Sequence, residues 1–252
     1  MKIKGIILDI DGVLIGQKNG FNFPQPNSKV IEALKNIKTK GIVVSLCTAK
    51  PYFSIENIVQ SAKLDNQHIT NGGSLTIDPI NNAIAKCHNI NPKVASRIIS
   101  DFIENNVYVE FYTKEDYFIQ KSQVSRITKR HTEILKRKPR IVSSLTKNTA
   151  KSAVIEIMAV AKNEIDKERL SKIFKPYNKD LILSWGIHPI ALPLQFGIIT
   201  SKGISKESGA KDIANYYNIS FNKILGVGDT ASDWQFIQLC GYAAAMGNAS
   251  NE

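Results

Sequence analysis

A short apolar run that ends in two aspartates limits most strongly how this chain can fold. Residues 5–11 read GIILDID. Branched apolar residues that follow a glycine are typical of a strand buried on both faces of a parallel sheet. Because side chains alternate along a strand, Asp9 and Asp11 point the same way and repel each other. The pattern indicates a divalent cation with oxygen ligands, for which Mg2+ is the usual choice beside a phosphate; the alternative is two hydrated aspartates where the strand turns into solvent.

Length and composition are those of an ordinary folded protein. The chain has 252 residues, 43% hydrophobic and 22% charged, enough for one large domain or for a core with a smaller inserted one. No window reaches the length of a membrane span, and Asp9 and Asp11 interrupt the one apolar run near the N-terminus, so we expect a cytoplasmic protein. Cys47, Cys87 and Cys240 are far apart and are expected to be free thiols.

The formal net charge is +11, and its distribution matters more than its total. Basic residues are densest over residues 126–140, where apolar residues keep one face at helical spacing. This run is interpreted as a solvated helix face. Two alternatives stay open: a surface that attracts an anionic substrate, or a nucleic-acid surface around Arg130 and Arg137.

Strands and helices alternate through the first third of the chain. Apolar runs at residues 42–47 and 68–70 are each preceded by a helical pattern. This order predicts right-handed crossovers and a parallel sheet, so the fold class is α/β with a Rossmann-like core.

A change of pattern near residue 78 predicts a second domain. The strands that follow, beginning with 107–112 and 117–119, are expected to pair as hairpins and to be half exposed, with helices on one side. We therefore predict a discontinuous core of residues 1–78 and 190–252 and an inserted α+β cap of residues 79–189.

Further polar residues follow predicted strands or begin helices. Thr48 ends one strand, and Asn71 follows another. Lys206 is placed near a helix N-terminus, which is unfavourable for a cation unless a phosphate lies between; the alternative is a solvated surface lysine. The segment Lys223–Asp233 is an apolar strand that ends in glycine and then Asp229, which could complete the cation site because ligands bind at such strand ends.

These residues resemble the four motifs of the haloacid dehalogenase superfamily of phosphohydrolases, specifically its Cof-type, class IIB subgroup with a large α+β cap. The first motif is residues 9–13, the second is Thr48, the third is Lys206, and the fourth is residues 228–233. Their order and spacing fit over nearly the whole chain. The resemblance implies the capped α/β fold predicted above.

The resemblance also implies a role for each matching residue. Asp9 would be the nucleophile that forms an aspartyl-phosphate, and Asp11 the general acid and base. Thr48 and Lys206 would bind the phosphoryl oxygens. Mg2+ would be held by Asp9, Asp229 and the main-chain carbonyl of Asp11. The supporting residues would be Gly12, Asn71, Ser232 and Asp233.

The sequence departs from the family pattern at several positions. Val13 stands where Thr is common, Ala49 and Lys50 stand where Gly-Arg is frequent, and Ser232 replaces the usual Asn. The sequence ends soon after Asn248, where relatives usually continue with a strand and a helix. Either it is truncated there or the core lacks an edge element.

We therefore predict a Mg2+-dependent phosphatase acting on a small phosphomonoester, a sugar phosphate or similar metabolite. The alternative is a sugar phosphomutase of the same superfamily. A binding protein for nucleic acid or an acidic partner ranks last. The expected partner is a small phosphorylated metabolite, with no membrane or nucleic-acid partner, and the expected state is a monomer or homodimer.

Overall fold

The computed structural model describes residues 2–81 and 83–249, so the predicted core ends at residues 1 and 252 lie outside the described residues. The chain divides into two compact units. Unit 1 comprises Met1–Lys86 and Ser205–Glu252, and unit 2 comprises Cys87–Ile204. Among the described residues, no helix has the length and apolar character needed to cross a membrane.

The helices and strands follow one another in this order: β1 Gly5–Leu8, α1 Ser28–Lys38, β2 Val43–Leu46, α2 Tyr52–Ser61, β3 His68–Thr70, β4 Leu75–Asp78, β5 Ala83–Cys87, α3 Pro92–Glu104, β6 Tyr108–Tyr112, β7 Tyr117–Gln120, α4 Arg126–Leu135, β8 Arg140–Val142, α5 Leu145–Thr149, β9 Glu156–Ala161, α6 Glu164–Phe174, β10 Leu181–Ile187, β11 Gln195–Ser201, α7 Lys206–Tyr216, β12 Ile224–Gly228, α8 Ala231–Ile237 and β13 Tyr242–Ala245.

Unit 1 is built on a parallel sheet with the strand order β13-β12-β1-β2. Leu8 of β1 is paired with Val227 of β12 on one side and with Leu46 of β2 on the other. The three strands therefore end within one residue of one another, and the residues that follow them lie at one edge of the sheet. All four residues of β1 are buried, as its continuous apolar run predicts.

Unit 2 contains a six-stranded sheet with the order β10-β11-β9-β6-β7-β8. Its strand pairs are antiparallel except β7 with β8, which are parallel. The core packs one face of this sheet against α3 and α6 through side chains such as Phe102, Phe111 and Leu170. The predicted α/β class with a parallel sheet and an α+β module is present.

The predicted domain boundaries differ from the boundaries of the units. Residues 190–204 were expected in the core, but β11 pairs with β9 and β10 inside unit 2. Residues 79–86 were expected in the cap, but β5 lies beside β4 in a sheet with β3, inside unit 1. In both places, hydrogen bonding to a neighbouring strand decides which unit the segment belongs to.

Two local expectations were wrong. The strand expected at residues 107–112 was predicted to be half exposed, yet every residue of β6 is buried. The basic run at residues 126–140 is not one helix, because α4 ends at Leu135 and Lys136 takes the left-handed conformation with a φ of 57°. Arg140 then begins β8, so the basic side chains lie on two elements.

Candidate active site

The shared edge of the parallel sheet gathers the predicted site residues of unit 1. Asp9 directly follows β1, and its N–H donates to the carbonyl of Val227 at 3.0 Å, which continues the ladder between β1 and β12. Thr48 follows β2 and is buried. Asp229 directly follows β12. The aligned register of these strands therefore brings residues of three separate segments to one edge of the sheet.

Lys206 is buried in this cluster. It is the first residue of α7, whose N-cap Ser205 accepts a hydrogen bond from the N–H of Ser208. The Nζ atom of Lys206 lies 3.0 Å from Asp9 Oδ1 and 2.6 Å from Asp233 Oδ1. Burial opposes the charged ammonium, but Asp233 and Asp9 outweigh it and raise the pKa of Lys206. The alternative of a solvated surface lysine is therefore wrong.

Asp233 uses both carboxylate oxygens inside the protein. Its Oδ1 binds Lys206, while its Oδ2 accepts hydrogen bonds from the N–H groups of Asp229 and Thr230 at 3.2 and 3.0 Å. The Thr230 hydroxyl donates to the same oxygen at 2.9 Å and also lies 2.9 Å from the Ser232 hydroxyl. Asp233 therefore orients Lys206 and the turn after β12, and Ser232 lies in the same network.

Asp229 lies against the turn that follows Asp11. Its Oδ2 accepts a hydrogen bond from Asn248 Nδ2 at 3.0 Å, and its buried Oδ1 has no hydrogen-bond partner among the residues described. Burial, and then the charge of Asp233, raise the pKa of Asp229 to about 7. Gly12 has a φ of 80°, and a Cβ atom there would lie 1.7 Å from Asp229 Oδ2. Only glycine fits this turn while Asp229 stays in place.

The charge balance of the cluster fits a divalent cation. Asp9, Asp11, Asp229 and Asp233 bring four carboxyl groups, whereas Lys50 and Lys206 bring two ammonium groups, so full ionisation would leave two negative charges in excess unless a cation is bound. Burial, and then repulsion from Asp233, raise the pKa of Asp9 well above its usual range, and Lys206 offsets this only in part.

The arrangement of oxygen atoms points to the same kind of ion. Carboxylate oxygens of Asp9, Asp229 and Asp233 lie within 4.8 Å of one another. Because Asp233 uses both oxygens for internal hydrogen bonds, Asp9 and Asp229 are the pair able to ligate a metal. Hard divalent cations such as Mg2+ prefer these oxygen ligands.

Lys50 is a site residue that sequence reasoning missed, since it was noted only as a departure from Gly-Arg. Its side chain is buried, and its Nζ atom lies 2.6 Å from Asp11 Oδ1. Its backbone N–H donates to Thr48 Oγ1 at 3.1 Å. The available signal was its position two residues after the predicted phosphate-binding threonine.

Asn71 also lies at this edge of unit 1. Its N–H donates to the carbonyl of Lys50 at 3.1 Å, and the next N–H, of Gly72, donates to the carbonyl of Thr48 at 3.1 Å. Asn71 takes a left-handed φ of 50°. Both polar atoms of its side-chain amide are buried without a hydrogen-bond partner within residues 2–81 and 83–249. These two hydrogen bonds join the loops after β2 and β3. The Asn71 amide could therefore donate one hydrogen bond and accept another from a ligand.

The fold is of the α/β class, and the strand edge of unit 1 brings aspartates and lysines together. The chain belongs to the haloacid dehalogenase-like hydrolase family, whose model matches residues 6–252. This membership confirms the predicted superfamily and the prediction of a hydrolase.

Individual relatives are distant but match along almost their whole length. Phosphatase YwpJ of Bacillus subtilis is 23% identical, with 99% of this chain and 91% of the relative covered. The 5-amino-6-(5-phospho-D-ribitylamino)uracil phosphatase YitU of the same organism is 22% identical, with coverage of 96% and 86%. The solved structure of the subclass IIB sugar phosphatase BT4131 has a TM-score of 0.80 at 20% identity, covering 98% of this chain and 88% of that one. This likeness confirms the predicted fold.

Proposed function

We propose that this hydrolase is a Mg2+-dependent phosphatase that acts on a small phosphomonoester, a sugar phosphate or a similar metabolite, through an aspartyl-phosphate. The names of YwpJ and YitU support the reaction class of a phosphoric monoester hydrolase. The YitU substrate carries a phosphorylated ribityl chain, and BT4131 is named a sugar phosphatase, which supports a phosphorylated polyol or sugar.

The observation that carries this proposal is the position of Lys206 between Asp9 and Asp233, with Asp229 beside them. Phosphoryl transfer depends on alignment of the nucleophile and on positive charge around three phosphoryl oxygens. A buried aspartate next to a fixed ammonium group and a candidate cation site provides both. The Thr48 hydroxyl adds a neutral hydrogen-bonding group at the same edge.

Each step of the proposed reaction has a residue to perform it. Asp9 attacks phosphorus, and Asp11 protonates the leaving oxygen and then takes a proton from the attacking water. Lys206 and Thr48 hold the phosphoryl oxygens. Asp9, Asp229 and the main-chain carbonyl of Asp11 would hold Mg2+, which when bound offsets the negative charge of the phosphoryl group and of the aspartates.

The basic run of unit 2 gives less support to a nucleic-acid partner than its sequence suggested. Arg130 forms an ion pair with Glu133 at 3.1 Å, and Arg140 forms one with Asp116 at 2.6 Å. These pairs neutralise part of the run locally. We therefore keep a small phosphorylated metabolite as the proposed partner, and the binding of nucleic acid stays the last-ranked alternative.

Phosphate release from a panel of sugar and polyol phosphates, measured with Mg2+ and with EDTA, tests the proposal. We expect activity that requires Mg2+ and that falls by on the order of 10^4-fold or more in Asp9→Asn, because the nucleophile is lost. The matched control is Asp65→Asn, which removes an exposed aspartate paired with Lys38 and should keep full activity.

Three results would contradict the proposal in different ways. Unchanged turnover in Asp9→Asn would show that Asp9 is not the nucleophile. Full activity in EDTA would show that the reaction does not require Mg2+. Transfer of the phosphoryl group to sugar instead of water, detected by product analysis, would identify a phosphomutase.

A further inference from the structure

Lys50 makes a close ion pair with Asp11 inside the candidate site. Its Nζ atom lies 2.6 Å from Asp11 Oδ1, and the two side chains are only 6% and 17% exposed. An exposed pair at this distance would hold neither partner in place, because solvent screens it. A buried lysine that reaches one oxygen of a particular carboxylate fixes the direction of that carboxylate.

We propose that Lys50 positions Asp11 for proton transfer, an inference that rests on the proposed phosphatase reaction. Lys50 is a positioning residue here, because it acts on the substrate only through Asp11.

The main chain of Lys50 is itself held at both polar groups. Its N–H donates to Thr48 Oγ1 at 3.1 Å, and its carbonyl accepts the N–H of Asn71 at 3.1 Å. The side chain therefore starts from a point fixed by the loops after β2 and β3. Because the main chain of Lys50 is held by these hydrogen bonds and its ammonium group is buried against Asp11, the position of the positive charge is well defined.

The pair sets the direction of the Asp11 carboxyl group, because Lys50 holds its Oδ1 atom. In the first step an Asp9 oxygen bonds to phosphorus, and the ester P–O bond breaks with its electron pair left on the leaving oxygen. The proton on the Asp11 carboxyl group moves to that oxygen and gives the free alcohol. Asp11 is left as a carboxylate beside the Lys50 ammonium.

The second step reverses the proton movement. A water oxygen bonds to phosphorus of the aspartyl-phosphate, and the bond between phosphorus and the Asp9 oxygen breaks, which restores the Asp9 carboxylate. One water proton moves to the Asp11 carboxylate, and inorganic phosphate leaves. Lys50 keeps its own protons and holds Oδ1 through both steps.

The rival role for Lys50 is direct binding of the phosphoryl group, as proposed for Lys206. The two roles differ in their dependence on the leaving group. An alkyl phosphate needs a proton on its leaving oxygen, whereas p-nitrophenyl phosphate leaves as a stable anion and needs almost none. Loss of a positioning residue for the acid therefore penalises the alkyl substrate selectively, but loss of a phosphate ligand penalises both.

The test compares Lys50→Met and Lys50→Arg with the unaltered protein on glycerol phosphate and on p-nitrophenyl phosphate, with Mg2+ present. For Lys50→Met we expect kcat/KM to fall by about 10^2-fold on the alkyl ester and by less than about 10-fold on the aryl ester. Inhibition by inorganic phosphate should change by less than about twofold, since the phosphate ligands stay. Lys50→Arg keeps the charge and should recover most of the loss.

Two further variants complete the design. In an Asp11→Asn background, Lys50→Met should lower the alkyl rate no further, because residues that act as a unit are not additive. Lys38→Met removes a lysine that also lies 2.6 Å from an aspartate, Asp65, but in an exposed pair, and it should change neither substrate. If Lys50→Met does not fold by circular dichroism, Lys50→Gln replaces it.

Equal losses on the two substrates together with weakened phosphate inhibition would overturn the inference and make Lys50 a phosphate ligand. Unchanged kinetics in Lys50→Met would also overturn it. Failure of the proposed function is distinguishable, because the unaltered protein would then release phosphate from neither ester, and the inference would fail with it.

Discussion

Each unit of this protein buries a charged cluster, and the two clusters are satisfied in different ways. In unit 1, four aspartates meet two lysines, and burial, followed by repulsion from Asp233, raises the pKa of Asp229 to about 7. In unit 2, Glu110 is fully buried, but hydroxyl and imidazole groups surround it. Tyr108 donates to its Oε2 at 3.3 Å, and Tyr112 donates to its Oε1.

The imidazole of His131 completes the cluster of unit 2. His131 Nδ1 lies 2.7 Å from Glu110 Oε1, so the imidazole is the third polar group in contact with this carboxylate. Burial, and then the charge of Glu110, raise the pKa of Tyr112, so this hydroxyl stays a donor. In unit 2 the protein itself donates hydrogen bonds to the buried carboxylate, and such a cluster stabilises the fold. In unit 1 the carboxylates repel one another until a ligand binds, and such a cluster lowers the stability of the fold.

Removal of Glu110 has the largest expected effect on stability. Glu110→Ala removes the acceptor of two buried hydroxyls, of Tyr108 and Tyr112, and opens a cavity, so the free energy of unfolding should fall by about 3 to 5 kcal/mol. Glu110→Gln keeps an acceptor oxygen and should lose about half as much. Urea unfolding followed by circular dichroism measures both changes.

The control for this variant is Glu133→Ala, which removes an exposed ion-pair partner of Arg130 and should change the free energy of unfolding by less than about 1 kcal/mol. If Glu110→Ala were as stable as the unaltered protein, the cluster of unit 2 would not stabilise the fold, and the contrast with unit 1 would disappear.

Asp229→Asn should show the opposite behaviour in unit 1. Without metal it removes repulsion from Asp233, so in EDTA we expect the Tm to be unchanged or raised by about 2 °C. Added Mg2+ should raise the Tm of the unaltered protein, because it binds only the folded state, and should raise that of the variant much less. Thermal unfolding with and without Mg2+ measures both effects.

Asp233→Asn serves as the matched comparison, since Asp233 accepts hydrogen bonds from Lys206, Asp229 and Thr230. It should lower the Tm even in EDTA. A clear loss of stability in Asp229→Asn without metal would mean that this carboxylate contributes to the fold and is not held in reserve for a cation.

The difference between the clusters also decides what the sequence could predict. Asp9, Thr48 and Asp229 each follow an apolar strand, so their meeting at one edge follows from the parallel order. The pair of Lys50 with Asp11 could not be predicted, because strand spacing does not say where a side chain points after the strand has ended. The Asn71 amide, for which the described part of the chain offers no hydrogen-bond partner, depends in the same way on a loop conformation.

In unit 2 the sequence pattern did not predict the burial of β6, for a different reason. β6 alternates tyrosine and glutamate with apolar residues, which is the usual pattern of a strand with one face in water. Here α4 contributes Thr128 and His131 as partners of that polar face, a tertiary contact that alternation does not reveal. β11 likewise reads as a buried strand in either unit, and only its pairing with β9 and β10 assigns it.

The smallest predicted effect concerns His68, a buried group of unit 1 that is kept neutral. Its Nδ1 accepts the N–H of Leu46 at 3.2 Å, which requires an unprotonated nitrogen, and burial lowers its pKa to about 3. The unfolded chain binds a proton near pH 6.5, but the folded protein does not, so this contribution to stability is present above pH 6.5 and is lost as the pH falls.

Between pH 7 and pH 5.5 the expected loss from this one group is about 1 kcal/mol of unfolding free energy. His68→Asn keeps an acceptor oxygen close to the position of Nδ1 but cannot titrate, so it should reduce the pH dependence by that amount while costing some stability at pH 7 through lost volume. Urea unfolding of the two proteins at both pH values measures the difference. An equal pH dependence in both would mean that His68 gains no proton on unfolding and that other groups set the whole acid response.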